Sequence, residues 1–336
     1  MNNTKKYNLN KTVIISLVSS IVLVILIYLA SLTLDSFRIT LLEDKGAAWY
    51  YWKLPELSIW ATVTVWGLYI LHQLTAWHLI YKISKQQQTE KGVASKLNII
   101  FLAVNALFIL LHIAQTMLFY DGLAQNVPVM SSQGSVIVML VMVLILMNSR
   151  RGLFFGKKIK LPKGAVSWIF KSHGFYIAWA LIYTFWYHPT EGTLGHLMGF
   201  FYMFLLFIQM SLAKTTFHNN TKWVTVLEVY VAVHGAIVAI EASNGMWPMF
   251  MFGFLMMFIV TQAYGIIKKK GTLIAITIAY ATLALLAYSG ILGNDNTLSD
   301  IHQITWIPFI LYLLVFVLVA LYQGAYLFNN KIRKLN

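Results

Sequence analysis

The stretch TVIISLVSSIVLVILIYLASLTL, residues 12–34, runs for 23 residues without a charge. A helix rises about 1.5 Å per residue, so a run of this length crosses a hydrocarbon core about 30 Å thick. In so apolar a solvent the backbone satisfies its hydrogen bonds only as a helix or a closed barrel, and an unbroken apolar run reads as a helix. Its apolar part, roughly 22 residues, is long for the core of a secretion signal. No A-x-A-like site follows it. The first span therefore reads as a retained anchor.

Nine further apolar runs follow, near 57–81, 97–119, 134–148, 167–190, 194–213, 223–242, 247–267, 272–292 and 304–328. The composition agrees with them. Of 336 residues, 59% are hydrophobic and only 11% are charged, whereas a soluble protein carries about 25% charged residues. Mean hydropathy is +0.70. The expected fold class is all-α, a polytopic transmembrane helix bundle of about ten spans, forming a single integral membrane domain over residues 1–336. Cysteine is absent, which excludes disulfides, thiolate metal sites, iron–sulfur clusters and cysteine nucleophiles.

The net charge is +14, and it sorts by loop. Of the 25 basic residues, 22 fall at the N-terminus, in alternate loops, at the C-terminus or, for Lys171, at the inner edge of the fifth span, among them Lys82, Lys91, Arg150, Arg151, Lys157, Lys214 and Lys268. The intervening loops hold Arg38, Lys45 and Lys53 with most of the acids, including Asp35, Glu43, Asp44, Glu56, Asp121, Glu191, Asp295 and Asp300. Basic loops stay in the cytoplasm. Both termini are therefore expected there, in a multi-pass protein of the cell membrane. The Lys-, Ile- and Asn-rich composition suggests a bacterial cytoplasmic membrane. The partner implied by the charge is the lipid bilayer, not nucleic acid. Trp49, Trp52, Trp60, Trp186, Trp247 and Trp306 fall near outer span ends, and Trp168 and Trp223 near inner ones, where an indole is half wet.

Ionisable groups inside a bilayer are costly and mark candidate sites. Most of the nine histidines lie in or beside spans. His72 and His78, six apart, are rotated by roughly 240° and do not share a helix face. His173 and His188 are fifteen residues apart on one span, about 22 Å. His218 and His234 are sixteen apart, about 24 Å. Spans five and seven run in the same direction, so His173 with His218, and His188 with His234, can each clamp a haem iron. Gly174, Gly192, Gly195, Gly199 and Gly235 would let a flat macrocycle approach.

The run Gly134–Pro189 resembles the core of ferric-reductase-like transmembrane proteins, and the resemblance extends over about 134–266. An apolar span ends in an Arg-containing loop (Asn148-Ser149-Arg150-Arg151). The next helix opens near His173-Gly174 and closes at His188-Pro189. The resemblance implies b-type haem held by His173, His188, His218 and His234, in an electron carrier or oxidoreductase subunit served by a partner protein or quinone. The spacing here is a residue or two longer than in that family, and no FAD- or NAD-binding segment follows.

Two other readings stay open. His188, Glu191 and His196 flank one short outer turn and have the donor types of a zinc or non-haem iron site, as in a metal-dependent membrane enzyme acting on a lipid. Glu228 lies inside span seven and is the expected proton carrier of a ten-span secondary transporter. Lys171, Gln73, Asn105, Gln209 and Gln262 would line its path.

Overall fold

The computed structural model of the chain describes residues 6–34, 58–243, 245–292 and 295–333. The aromatic outer loop expected over 35–56, with its acids and with Arg38, Lys45 and Lys53, lies outside the described residues. So do Lys5 and Lys334.

Ten long helical segments run in series among the described residues. They are α1 (Leu9–Ser31), α2 (Ile59–Ser84), α3 (Lys96–Phe119), α4 (Val129–Arg151), α5 (Lys163–Tyr187), α6 (Leu194–Ser211) and α7 (Thr221–Glu241). Then come α8 (Trp247–Met257), joined by a π-helical stretch (Phe258–Ala263) to α9 (Tyr264–Ile266), followed by α10 (Lys270–Ala287). Last, a 3₁₀ segment (Leu298–Thr305) leads into α11 (Trp306–Arg333). Eight of the ten are long and apolar enough to cross a bilayer. The other two, α2 and α5, equal them in length, but Trp, Tyr and His in both, with Gln73 in α2 and Lys163 and Lys171 in α5, lower their hydropathy. This is the architecture of a multi-pass membrane protein.

Local chemistry sets the helix ends. The Asn8 side chain accepts from the Lys11 amide, so α1 starts three residues before the apolar run. Ser95 and Asn98 form a reciprocal capping box on α3, which satisfies two otherwise orphaned backbone donors. Helix α4 begins directly after Pro128, earlier than its apolarity indicates. Its first turns hold Ser132 and Ser135, both buried. Helix α5 stops at Tyr187 because a residue before proline is pushed out of the helical region. His188, which precedes Pro189, therefore falls in the turn and not in the span.

The chain divides into two compact units. One comprises residues 1–136 and 174–227, the other residues 137–173 and 228–336. In the first unit, α1, α2, α3 and α6, with the start of α4 and the second half of α5, enclose an aromatic core of Tyr69, Phe101, Phe108, Phe185, Trp186 and Phe204. At one end, β1 (Tyr7–Asn8) pairs antiparallel with β2 (Val93–Ala94) in the register Tyr7↔Ala94. The Thr89 amide donates to the Lys214 carbonyl at 2.9 Å. The Asn98 amide donates to the Ser211 and Ala213 carbonyls at 2.7 and 3.1 Å. This end gathers Lys6, Lys11, Lys91, Lys96 and Lys214 and is its basic end. At the opposite end the 120–122 turn lies against Tyr187 and His188. Within this unit, alternate loops thus meet at opposite ends, as the charge pattern requires.

In the second unit, Phe252, Ala284 and Ala287 form the core between α8 and α10. Asn148 folds the basic loop after α4 back on itself, exchanging hydrogen bonds of 2.8 and 2.9 Å with the Ile159 backbone. The Tyr312 hydroxyl fastens α11 to the Leu153 carbonyl at 2.7 Å.

Close approach at the 120–122 turn makes a prediction. A Cβ on Gly122 would stand 2.5 Å from the Tyr187 carbonyl oxygen, whereas one on Gly67 would meet nothing within 4 Å. Forcing atoms into a filled site costs about 1–3 kcal/mol. Gly122→Ala should lower the thermal midpoint of the detergent-purified protein by several degrees, while Gly67→Ala leaves it unchanged or raised. Tryptophan fluorescence on heating reads both.

Candidate functional site

A file of polar side chains, continued by stacked rings, runs through the core of the first unit. On α3, Asn98, Asn105 and His112 recur every seven residues, which keeps them on one face of the helix. Facing them, α2 contributes His72. His78, six residues on, is exposed, so the two histidines do point apart. The His72 Nε2 lies 2.9 Å from the Asn105 Oδ1. The Asn105 amide donates to the Ser211 hydroxyl at 2.9 Å. The Trp186 indole N–H donates to the His72 Nδ1 at 3.2 Å. An indole only donates, so the His72 Nδ1 is the accepting nitrogen and its proton sits on Nε2, facing Asn105.

Beyond Trp186 the file continues through rings. His112 stacks on Trp186 with centroids 4.3 Å apart. Phe200 lies 6.3 Å from His112 and 6.4 Å from His196. His196 in turn lies 5.7 Å from His188, and its Nδ1 is 3.8 Å from a Glu191 carboxylate oxygen. Four of the nine histidines therefore share one chain of contacts. His112 is fully buried, and neither ring nitrogen has a hydrogen-bond partner among the described residues. The same holds for the amide atoms of Gln73 and Gln115. Leaving a buried polar group unmet costs about 1–3 kcal/mol. Along the file, His72, Asn105 and Ser211 are thus satisfied, and His112 is unmet among the described residues.

Asp121 sits at that other end, in the turn after α3, only 1% exposed and with its Oδ2 unpartnered among the described residues. Burial pushes its carboxyl up to about 7, against a Gly122 backbone hydrogen bond that pulls it down.

Toward the basic end a cavity of about 450 Å³ opens between α1, α3 and α6. Asn8, Lys11 and Thr12 line its rim, Ser16 and Ser20 its side, and Asn105 its depth. One side chain thus belongs to both the cavity and the polar file.

The second unit holds an ion pair. Arg151, the last residue of α4, directs Nη1 to both Glu228 carboxylate oxygens at 3.0 and 2.9 Å and to the Gln262 Oε1 at 2.9 Å. Both charged side chains are largely buried. Glu228 lies seven residues into α7, about 10 Å along its axis. Gln262 belongs to the π-helical stretch, a wide turn that recurs at functional sites. A Cβ on Gly265 would strike the Arg151 Cβ at 2.5 Å, so only glycine leaves room for the arginine. Glu228, expected as the proton carrier of a transporter, is one half of this pair.

The sites expected from sequence fare differently. Of the four expected haem ligands, His188 and His218 belong to the first unit and His173 and His234 to the second. Each expected pair takes one member from each unit. His173 and His218 each set Nδ1 2.8 Å from a backbone carbonyl, of Phe170 and Gln209 respectively. A carbonyl only accepts, so both imidazoles carry their proton on Nδ1, the tautomer that presents Nε2 to a metal. None of the four lines the 450 Å³ cavity. His188, Glu191 and His196 do meet around one turn. Even so, among the described residues no three His, Cys, Asp or Glu side chains are placed to hold a metal ion. Of the expected path residues, Gln209 is engaged by Trp223 and by the His218 carbonyl, and Lys171 is exposed.

Asp121 sets a pH dependence. Its folded value of about 7 lies above the ordinary 3.8, so between these the folded state holds the proton more tightly than the unfolded chain. Stability should fall as pH rises from about 4 to about 7 and level off above that. Melting curves across this range should show the fall in the wild type and a shallower one in Asp121→Asn. An equal slope in both would remove Asp121 as the cause.

No protein-family model, no curated protein and no solved structure matches this chain.

Proposed function

We propose that the protein is a proton-coupled secondary transporter of ten spans, with both termini in the cytoplasm and Glu228 as its coupling carboxylate. The observation that carries this reading is the Arg151–Glu228–Gln262 contact. A charge pair inside a span is costly to bury, and removing one partner strands the other. Protonating Glu228 does this reversibly. It removes the negative charge that holds Arg151 and loosens α4 from α7, while the π-helical stretch at Gln262 supplies backbone that can rewind. A proton thereby changes which arrangement of the second unit is favoured, which is what coupling needs.

The test uses liposomes loaded with the pH dye pyranine, an acid-outside gradient, and a panel of amino acids, sugars, nucleosides and organic acids. At least one solute should evoke proton entry in the wild type. Glu228→Gln should reduce it at least tenfold. The double variant Arg151→Gln/Glu228→Gln should regain thermal stability without regaining flux. Flux restored in the double variant would make the pair a structural brace. No solute response at all would end the transport reading.

A second reading, b-type haem on His173, His188, His218 and His234, draws on the Nδ1–carbonyl bonds of His173 and His218. Haem bound there would supply one-electron transfer, with lipid-soluble quinone or a partner protein as donor and acceptor. A Soret band with sharp reduced α and β bands in the purified protein is expected on this reading. A flat spectrum after expression with ample haem discards it.

A further inference from the structure

We propose that the cavity between α1, α3 and α6 is a binding site for a single-chain anionic glycerophospholipid, a lysophospholipid, held by Lys11 at its mouth. The lining changes along α1 in the order in which such a molecule is built. At the mouth, Lys11 and Asn8 offer donors. An ammonium only donates. Among the described residues Lys11 has no acid within ion-pair reach, whereas Lys6 is already paired with Glu90 at 2.6 Å. Asn8 uses its Oδ1 on the Lys11 amide, so what it offers a ligand is its own N–H groups. Donors placed together select an anion.

The next stretch offers acceptors. The hydroxyls of Thr12, Ser16 and Ser20 donate to the carbonyls of Asn8, Thr12 and Ser16, each at 2.9 Å. Their protons are engaged, so toward a ligand these oxygens accept, which suits the hydroxyl of a glycerol. Deeper still the lining is apolar, with Leu23 on α1, Ile109 on α3 and Phe204 and Phe207 on α6. Asn105, the polar group at that depth, is already met by His72 and Ser211 and asks nothing of a ligand. A fatty acid would match the mouth and the depth but leave the hydroxyl stretch unused.

Size and access agree. From Asn8 to Leu23 is fifteen residues, about 22 Å of helix. A volume of about 450 Å³, drawn out over that length, is a slot for one hydrocarbon chain. Ser19 and Ala103 both line the cavity and are both exposed, so it opens sideways between α1 and α3. Ser19 stands about 15 Å along α1 from Leu9, about half the thickness of a hydrocarbon core, and what it faces there is lipid. A ligand entering by this slit comes from the bilayer. Its chain never crosses water, and its phosphate stays at the basic end.

The experiment binds tritiated palmitoyl-lysophosphatidylglycerol to the full chain, immobilised in dodecyl maltoside, by scintillation proximity. No gradient or transported solute is involved, so this site and the transport reading can each fail alone. One saturable site per chain is expected. Lys11→Gln should weaken it about fivefold, the effect of one lysine beside an anionic lipid. Lys96→Gln, at the same end but outside the lining, should not. Ala106→Phe, which fills the slot from α3, should remove the site. Ala103→Phe, on the exposed edge, serves where that variant does not elute as a single folded species. Lysophosphatidylcholine of the same chain length, with no net charge, should compete about fivefold less well than the unlabelled probe. Palmitate and two-chain phosphatidylglycerol should also compete less well. Binding that never saturates would overturn the site. So would equal losses in Lys11→Gln and Lys96→Gln, which mark mere attraction to a basic surface, or unchanged binding in a folded variant with the slot filled. Palmitate or phosphatidylglycerol competing as well as the probe would overturn the ligand assigned.

Discussion

The bond from the Trp186 indole to the His72 ring is the contact on which the first unit's interior turns. In a hydrocarbon solvent no water repays a polar group for leaving its partner. Once α2 carries a histidine at mid-depth, other helices must supply both a donor and an acceptor to it. Helix α5 gives the donor through Trp186 and α3 gives the acceptor through Asn105, whose own amide is met by Ser211 of α6. Four helices are thereby fixed in rotation about their axes. The apolar surfaces could slide over one another with little penalty, since lipid tails solvate them as well as neighbouring side chains do. Directional bonds remove that freedom, and the aromatic rings of Phe108, Phe185 and Phe207 fill the space around them.

The second unit solves the same problem with charge. Arg151 terminates α4 where a helix end leaves carbonyls unmet, and a cation there is favoured by the helix dipole. Its guanidinium then reaches a carboxylate on α7 and an amide on the π-helical stretch. The two units thus hold different kinds of polar interior, one built of neutral rings and amides, the other of a salt bridge. Among the described residues, charge in the first unit lies at its ends, so its interior is dense with histidine without a matching density of acids.

Much of this was legible in the sequence because the solvent is so restrictive. Each apolar run had to be a helix, and the observed ten segments fall within a few residues of the runs. In the first unit the basic loops, as the sequence sorted them, gather at one end. The departures have local causes: caps at Asn8 and Ser95, proline at 189, and serines of α4 that face inward. The sites were less legible. The seven-residue spacing of Asn98, Asn105 and His112 was present to be read, and it marks one face. What periodicity cannot supply is the identity of the facing helix, and so the meeting of His112 with Trp186 on α5, or of Arg151 with Glu228, was invisible. Spacing along α5 and α7 singled out four histidines by depth alone, and depth says nothing of rotation or neighbour.

The short ladder between Tyr7 and Ala94 bears on how the protein is made. The strand before α1 pairs with a segment just before α3, so the ladder cannot form until α2 has left the ribosome. Over that interval α1 has no α3 to pack against. It is suited to wait: Ile14, Val18, Val22, Ile25 and Leu29 face outward and remain lipid-solvated even in the finished protein, and its serine hydroxyls bond to its own backbone. The last of its partners, α6, arrives later still. Helix α1 is therefore locked only after α6 has followed it, and the cavity between α1, α3 and α6 is sealed on one side by a late-closing wall.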